Sequence, residues 1–171
     1  PLHMVMVRGE LPPVYAHCLG ASSVPRMTIS THQDSKGTPV WYLGGQLAEE
    51  GVERTPAEQI AAARRELQTL LPWIDAAHLG WATLRIDRAE VKHGDGKRPD
   101  DAFVDEREGI ITGWPTKLAL SPRLADEVIE RLQTGNIAPG GRFSAQEQER
   151  LAAWPAPDYA PLPWEEESRW N

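Results

Sequence analysis

The chain has 171 residues, of which 40% are hydrophobic and 25% charged, enough for one ordinary domain with a real core. Its single cysteine, Cys18, excludes a disulfide scaffold and a cysteine-rich zinc module, and favours the reducing cytoplasm. A net charge of -7 from 18 basic and 25 acidic side chains argues against nucleic acid as a partner. No apolar run approaches the roughly 20 residues that a membrane span needs.

The first quarter of the chain predicts β-structure. Short runs rich in β-branched and aromatic residues alternate there with segments rich in proline, serine and glycine. Strands joined by connections of this length usually pair antiparallel, and the turn Asp34-Ser35-Lys36-Gly37 is the strongest hairpin candidate. The predicted strands are 3–8, 14–19, 26–31 and 39–44.

A change of period after residue 54 predicts a helix. Thr55 can cap its N-terminus, Pro56 suits the first helical position and Glu58 can reach back to the cap. Apolar residues follow at spacings of three and four until Pro72 ends the pattern, so one side of the helix should lie on a sheet. These apolar residues are Ile60, Ala63, Leu67, Leu70 and Leu71.

The second half predicts a strand, a hairpin and two helices. Residues 81–91 alternate as a half-buried strand, 93–101 form a polar loop, and 102–114 form two strands joined by a charged turn. Ser121 is expected to cap a helix that Gly135 ends. A shorter capped helix is predicted at 144–154, followed by an extended arm with prolines and tryptophans. We therefore expect an α+β fold with an antiparallel or mixed sheet, helices on one of its faces, and three regions: 1–108, 109–134 and 135–171.

The sequence lacks the motifs of a dinucleotide-binding loop and of a metal site. The glycines Gly94 and Gly96 lack the third glycine and the helix of a dinucleotide fingerprint. The five histidines have no metal-site spacing and Cys18 has no cysteine partner, so no metal site is predicted. A buried small thiol is the commoner role for such a cysteine.

Two features could bind an anion. The turn that carries Lys117, between the strand at 109–114 and the following helix, presents backbone N–H groups and the positive end of a helix. An ordinary strand-to-helix connection is the alternative, and physics alone favours it. Arg85, in the middle of a strand, could grip a carboxylate or phosphate. Its alternative role is an exposed arginine that pairs with Asp87 or Glu90.

The order of these segments resembles the C-terminal half of FAD-dependent oxidoreductases of the D-amino-acid oxidase and glycerol-3-phosphate dehydrogenase superfamily. The resemblance covers roughly residues 25–133. A strand ending in Gly44-Gly45 precedes an acidic turn and a helix, a later strand carries Trp81 and Arg85, and a Pro-Asp turn at 99–100 precedes the strand, loop and helix of 109–133. Where the family has a glycine-rich flavin loop, this chain has Trp-Pro-Thr-Lys at 114–117.

The resemblance implies hydride transfer to FAD from a C–H bond next to an amine or hydroxyl of a small anionic substrate. Arg85 would bind the anionic group, and Thr31, His32 and Gln46 would line the pocket. The strand, loop and helix of 109–134 would belong to an incomplete FAD-binding domain. No catalytic base is matched. The predicted flavin-contacting residues are Gly113, Trp114, Pro115, Thr116, Lys117 and Leu118.

The glycine-rich ADP-binding fold of the family has no counterpart in these residues. The resemblance therefore implies a C-terminal portion of a longer flavoenzyme, whose partner is the N-terminal FAD-binding portion of the same protein. The isolated chain should bind FAD weakly or not at all, and its uncovered apolar face could form a homodimer. A non-catalytic module that binds a small anion or a peptide, and a purely structural or regulatory domain, are the alternatives.

Overall fold

The computed structural model describes residues 1–22, 24–89, 91, 101–114, 117–138, 140–156 and 158–170. The chain divides into two units. The first contains Pro1–Arg88 and Asp158–Asn171, and the second contains Ala89–Pro157. This division differs from the three expected regions because the C-terminal residues return to the first unit. None of the helices in the described residues has both the length and the apolar character of a bilayer span.

Five antiparallel strands form the sheet of the first unit, in the order β2-β3-β4-β1-β5. The α+β class with an antiparallel sheet is thus confirmed. The predicted hairpin turn joins β3 to β4, where the Asp34 amide donates to the Thr38 carbonyl at 3.0 Å. The strands are β1 Leu2–Arg8, β2 Ala16–Cys18, β3 Met27–Gln33, β4 Pro39–Gly44 and β5 Gly80–Ile86, so the second and fifth are shorter than predicted.

Two helices follow β4 in the chain, α1 at Gln46–Glu50 and α2 at Pro56–Leu70. The predicted capping box of α2 is present, since the Thr55 side chain accepts from the Glu58 amide and the Glu58 carboxylate accepts from the Thr55 amide. Through Ala63 and Leu67, α2 packs on one sheet face, which we call the helix face. The buried strand residues of that face are Val5, Val7, Met27, Ile29, Trp41, Leu43 and Trp81.

The opposite sheet face, which we call the open face, is covered in part by the chain's own C-terminus. Residues 158–170, the C-terminal strap, contain two single-turn 3-10 helices at Pro163–Glu165 and Glu167–Arg169. Trp164 and Trp170 of the strap pack against open-face residues, which include Met6, Val40 and Ala82. The side chains of Thr28, Ser30, His32, Tyr42 and Leu84 on this face are all partly exposed.

The second unit consists of a hairpin and two helices, and every one of its described residues is at least partly exposed. Its elements are β6 Phe103–Arg107, β7 Ile110–Trp114, α3 Ser121–Thr134 and α4 Ala145–Ala152. The Ser144 capping box of α4 is confirmed. The predicted cap at Ser121 is wrong, because a 3-10 turn at Leu118–Leu120 leads into α3 and makes Ser121 its first helical residue. Of the predicted polar loop at 93–101, residues 93–100 lie outside the described residues, and so does the predicted Pro-Asp turn at 99–100.

Candidate functional site

Arg85 lies on β5 and points to the helix face. Its two terminal nitrogens donate to the carbonyl oxygens of Val52 and Arg54, the second at 2.6 Å. Both acceptors belong to the connection between α1 and α2, so Arg85 fixes this loop to the sheet. A guanidinium has five N–H donors and the side chain is exposed. Binding an anion at its exposed side is therefore compatible with both bonds.

Thr31 and His32 are neighbours in β3 and therefore lie on opposite faces of the sheet. The Thr31 hydroxyl is engaged twice by the segment before β2, since it accepts from the Val14 amide at 2.7 Å and donates to the Val14 carbonyl at 2.8 Å. Thr31 thus anchors that segment on the helix face, while His32 lies on the open face.

Gln46 is the first residue of α1, and its backbone amide donates to the Pro25 carbonyl at 2.9 Å. Its side chain lines a groove of about 280 Å³ beside α1 and α2. Each of two arginines there faces a carboxylate: Arg26 lies 2.9 Å from Glu66, and Arg54 lies 3.7 Å from Glu50. The four predicted substrate residues consequently occupy four separate places, and the structure does not bring them together.

His32 is the one of those four that faces the open side of the sheet. Its Nε2 lies 2.9 Å from the Ser30 hydroxyl, two residues earlier on the same face. The Tyr42 ring stands edge-on to the imidazole at 6.3 Å. Burial raises the pKa of the Tyr42 hydroxyl, so Tyr42 stays neutral and can both donate and accept a hydrogen bond. The open face thus combines the imidazole of His32 and the hydroxyls of Thr28, Ser30 and Tyr42 with apolar surface.

Sequence reasoning missed Ser30 and Tyr42 of this face, and it missed Trp164 of the strap that packs on the face. The first two carry a readable signal. Ser30 shares the face of His32 by the period of two, and the register of the 34–38 hairpin pairs Ser30 with Tyr42. Trp164 carries no such signal, because its position depends on contacts more than a hundred residues away in sequence.

Gly113 and Trp114, the first two predicted flavin-contacting residues, lie at the end of β7. Trp114 pairs with Phe103 of β6, and Gly113 pairs with Val104. A Cβ atom added to Gly113 would come within 2.9 Å of the Leu124 side chain. The glycine therefore permits close packing of α3 on the hairpin, a packing role that is independent of any cofactor.

The rest of the predicted flavin loop leads into α3. Pro115 and Thr116 lie outside the described residues. Lys117 and Leu118 are exposed, Leu118 to 88% of its surface. No side chain caps the N-terminus of α3. A lysine followed by a helix N-terminus without a side-chain cap is a favourable environment for negative charge.

Comparisons with known proteins agree with the proposed cofactor. Over 167 residues the chain is 52% identical to the probable FAD-dependent oxidoreductase PA4991 of Pseudomonas aeruginosa, and the match covers 96% of this chain and 41% of that protein. The crystal structure of the FAD-dependent oxidoreductase PA4991 from the same species is similar with a TM-score of 0.81 and 50% identity, over 96% of this chain and 44% of that one. The sequence matches no family model. The chain is homologous to an FAD-dependent oxidoreductase, and it spans less than half the length of both proteins that it matches.

Proposed function

We propose that this chain is the substrate-binding part of an FAD-dependent oxidoreductase that oxidises a C–H bond next to an amine or hydroxyl of a small anionic molecule. The observation that carries the proposal is the 52% identity over 96% of the chain to a probable FAD-dependent oxidoreductase. Because the chain covers 41% of that protein, the remaining cofactor contacts are assigned to polypeptide beyond these residues.

The second unit is the proposed cofactor side. When bound, FAD would accept a hydride from the substrate. Lys117 and the N-terminus of α3 would stabilise the negative charge that develops on the ring. Exposed apolar residues of this unit, which include Leu118, Ile129 and Ile137, support packing against the N-terminal FAD-binding portion.

The open face of the first unit is the proposed substrate side. His32, held by Ser30, and Tyr42 are positioned to orient the amine or hydroxyl of a small molecule. Arg85 lies on the opposite, helix face of the sheet, where its guanidinium holds the α1–α2 loop, so the anion-binding role expected for Arg85 does not belong to this open-face site. Thr31 and Gln46 act on the substrate only through the strand and the helix that they fix.

An absorption spectrum of the longer polypeptide that contains this chain tests the proposal. We expect oxidised flavin that amino acids, 2-hydroxy acids or polyol phosphates bleach under anaerobic conditions. A purified parent protein that never carries flavin would refute the proposal.

The isolated 171 residues should bind FAD weakly, so tight stoichiometric FAD in this material would contradict the assignment of the missing contacts. A homodimer formed through α3 is the competing outcome, which light scattering of the isolated chain measures.

In the alternative of a non-catalytic binding module, the proline- and tryptophan-rich C-terminal arm would itself be a docking ligand, and its tryptophans would have to be exposed. In the structure, Trp164 is 8% exposed and Trp170 is half-buried, both against the chain's own sheet. The docked arm favours the enzymatic proposal over the role of a docking ligand.

A further inference from the structure

The C-terminal strap is fixed to the edge of the open face by two carboxylates. Glu167 accepts two hydrogen bonds from the Arg8 guanidinium, at 2.8 and 2.9 Å. Glu165 accepts from the amide and the hydroxyl of Ser35, both at 2.8 Å. The Arg8 guanidinium also lies 4.3 Å from the centre of the Trp170 ring. Paired bonds to each carboxylate define the position of the strap as well as its attachment.

These contacts place the Trp164 ring over His32. The two rings stack with centroids 4.5 Å apart and an interplanar angle of 27°. Tyr42 meets the same indole edge-on, with centroids 6.2 Å apart. The indole nitrogen of Trp164 is buried without an acceptor among the described residues, so stacking and apolar packing determine where the ring sits.

The register of the sheet shows which part of the open face the ring covers. His32 pairs with Val40, and Val40 packs against Trp164. One step further along the strands, Ser30 pairs with Tyr42, and beyond them Thr28 pairs with Gly44. The Trp164 ring therefore covers the open face at His32, and the exposed part of that face begins there. Ser30 and Thr28 lie on the exposed side of His32.

We infer that Trp164 is a specificity-determining residue: its ring is the end wall of the substrate site and limits the length of the molecule that lies beside His32. This inference rests on the proposed function. At this position the strap presents the face of an indole ring to His32, and that face has no group that gains or loses a proton. Trp164 therefore selects substrates by size and leaves their chemistry unchanged.

The test uses the flavin-loaded parent protein and carboxylates of graded length, from acetate through butyrate and hexanoate to phenylacetate. Binding is followed by the change in flavin absorption, and kcat/KM is compared for amino acids and 2-hydroxy acids of the same side-chain sizes. In Trp164→Ala we expect the preference for long over short ligands to rise by on the order of tenfold or more. Trp164→Phe keeps a stacking ring and should shift the preference less. Trp73→Ala is the matched control, because Trp73 is 74% exposed beside Arg64 and Pro72.

The two proposals fail in different ways. A parent protein without flavin refutes the proposed function and this inference together. Flavin that responds to ligands, with the same size preference in Trp164→Ala as in the wild type, refutes the inference alone. Glu167→Gln keeps the indole and weakens the paired hydrogen bonds from Arg8 that hold the strap. It therefore supplies the same comparison if Trp164→Ala does not fold. An unchanged size preference in Glu167→Gln, with the indole displaced from His32, would also overturn the inference.

Discussion

His3 and Arg85 are partners across the β1–β5 pairing, and both bind the same connection between α1 and α2. His3 Nδ1 lies 2.9 Å from the Gly51 carbonyl oxygen, and Arg85 donates to the carbonyls of Val52 and Arg54. Three carbonyl groups within four residues are thus satisfied by two adjacent strands. The connection contains no strand that could pair with the sheet. The side chains of His3 and Arg85 hold it there instead.

Replacement of Arg85 by alanine should destabilise the protein. The substitution removes two charge-assisted hydrogen bonds at an exposed site, so we expect the free energy of unfolding to fall by about 1 kcal/mol. Arg88→Ala is the control, because Arg88 has an exposed ion pair with Glu49 at 3.8 Å, and such pairs contribute little. Urea unfolding of both variants measures the difference. Equal stabilities would show that the Arg85 bonds do not hold the loop.

The stability should also depend on pH through His3. The side chain is fully buried and its Nε2 has no hydrogen-bond partner among the described residues. Burial lowers the pKa of His3, and the nearby charges of Arg85 and Arg54 lower it further. The unfolded chain therefore binds the proton more tightly than the folded chain does. The contribution of neutral His3 to the free energy of unfolding should be fully present above about pH 6.5. It should decline as pH falls towards the folded pKa, by at most about 1.4 kcal/mol per pH unit.

The variant His3→Gln isolates this effect. Glutamine has no titratable group, so the wild type should lose stability between about pH 6.5 and 5 while the variant changes less over the same range. Denaturant unfolding at several pH values gives both curves. Parallel curves would contradict the assignment of this pH dependence to His3.

The sheet and α2 could be predicted from the sequence because their signals are local. Alternation, the turn at 34–37 and the capping box at Thr55 each lie within a few residues. The start of α3 was misplaced for a related reason: Ser121-Pro122 looks like a cap, but the Leu118–Leu120 turn already supplies the helical geometry before it. Capping preferences cannot distinguish a first helical residue from a cap when a 3-10 turn precedes the helix.

The site was harder to predict because it depends on which way each side chain points. Thr31 and His32 were grouped by position in the chain, although adjacent strand residues face opposite sides. The partners of Arg85 lie 31 and 33 residues away, and Glu167 lies 159 residues from Arg8. Contacts of that separation leave no periodic pattern in the sequence, so the role of the strap emerges only from the folded chain.

The capping box of α2 should matter more for stability than the capping box of α4. Thr55→Ala removes a cap from a helix that packs on the sheet, and we expect a loss of about 1 kcal/mol. Ser144→Ala is a matched substitution in the same motif, but α4 buries no residue, so the unfolding of the sheet should change little. Circular dichroism and sheet tryptophan fluorescence separate the two effects. Equal losses in the fluorescence transition would show that the packing of α2 does not account for the difference.

The strap should leave the sheet in acid before the sheet unfolds. The hydrogen bonds from Arg8 lower the pKa of the Glu167 carboxyl below its usual range, so this latch contributes stability above about pH 4.3 and loses it as pH falls through the folded pKa. The indole N–H signals of Trp164 and Trp170 in a proton–nitrogen NMR spectrum should therefore shift together on acidification. Glu167→Gln should weaken the docking already at neutral pH. Glu166→Gln is the control, since Glu166 pairs with Arg169 within the strap, at 2.8 Å. Indole signals that stay unshifted until the sheet itself unfolds would show that the Arg8–Glu167 hydrogen bonds do not hold the strap on the sheet.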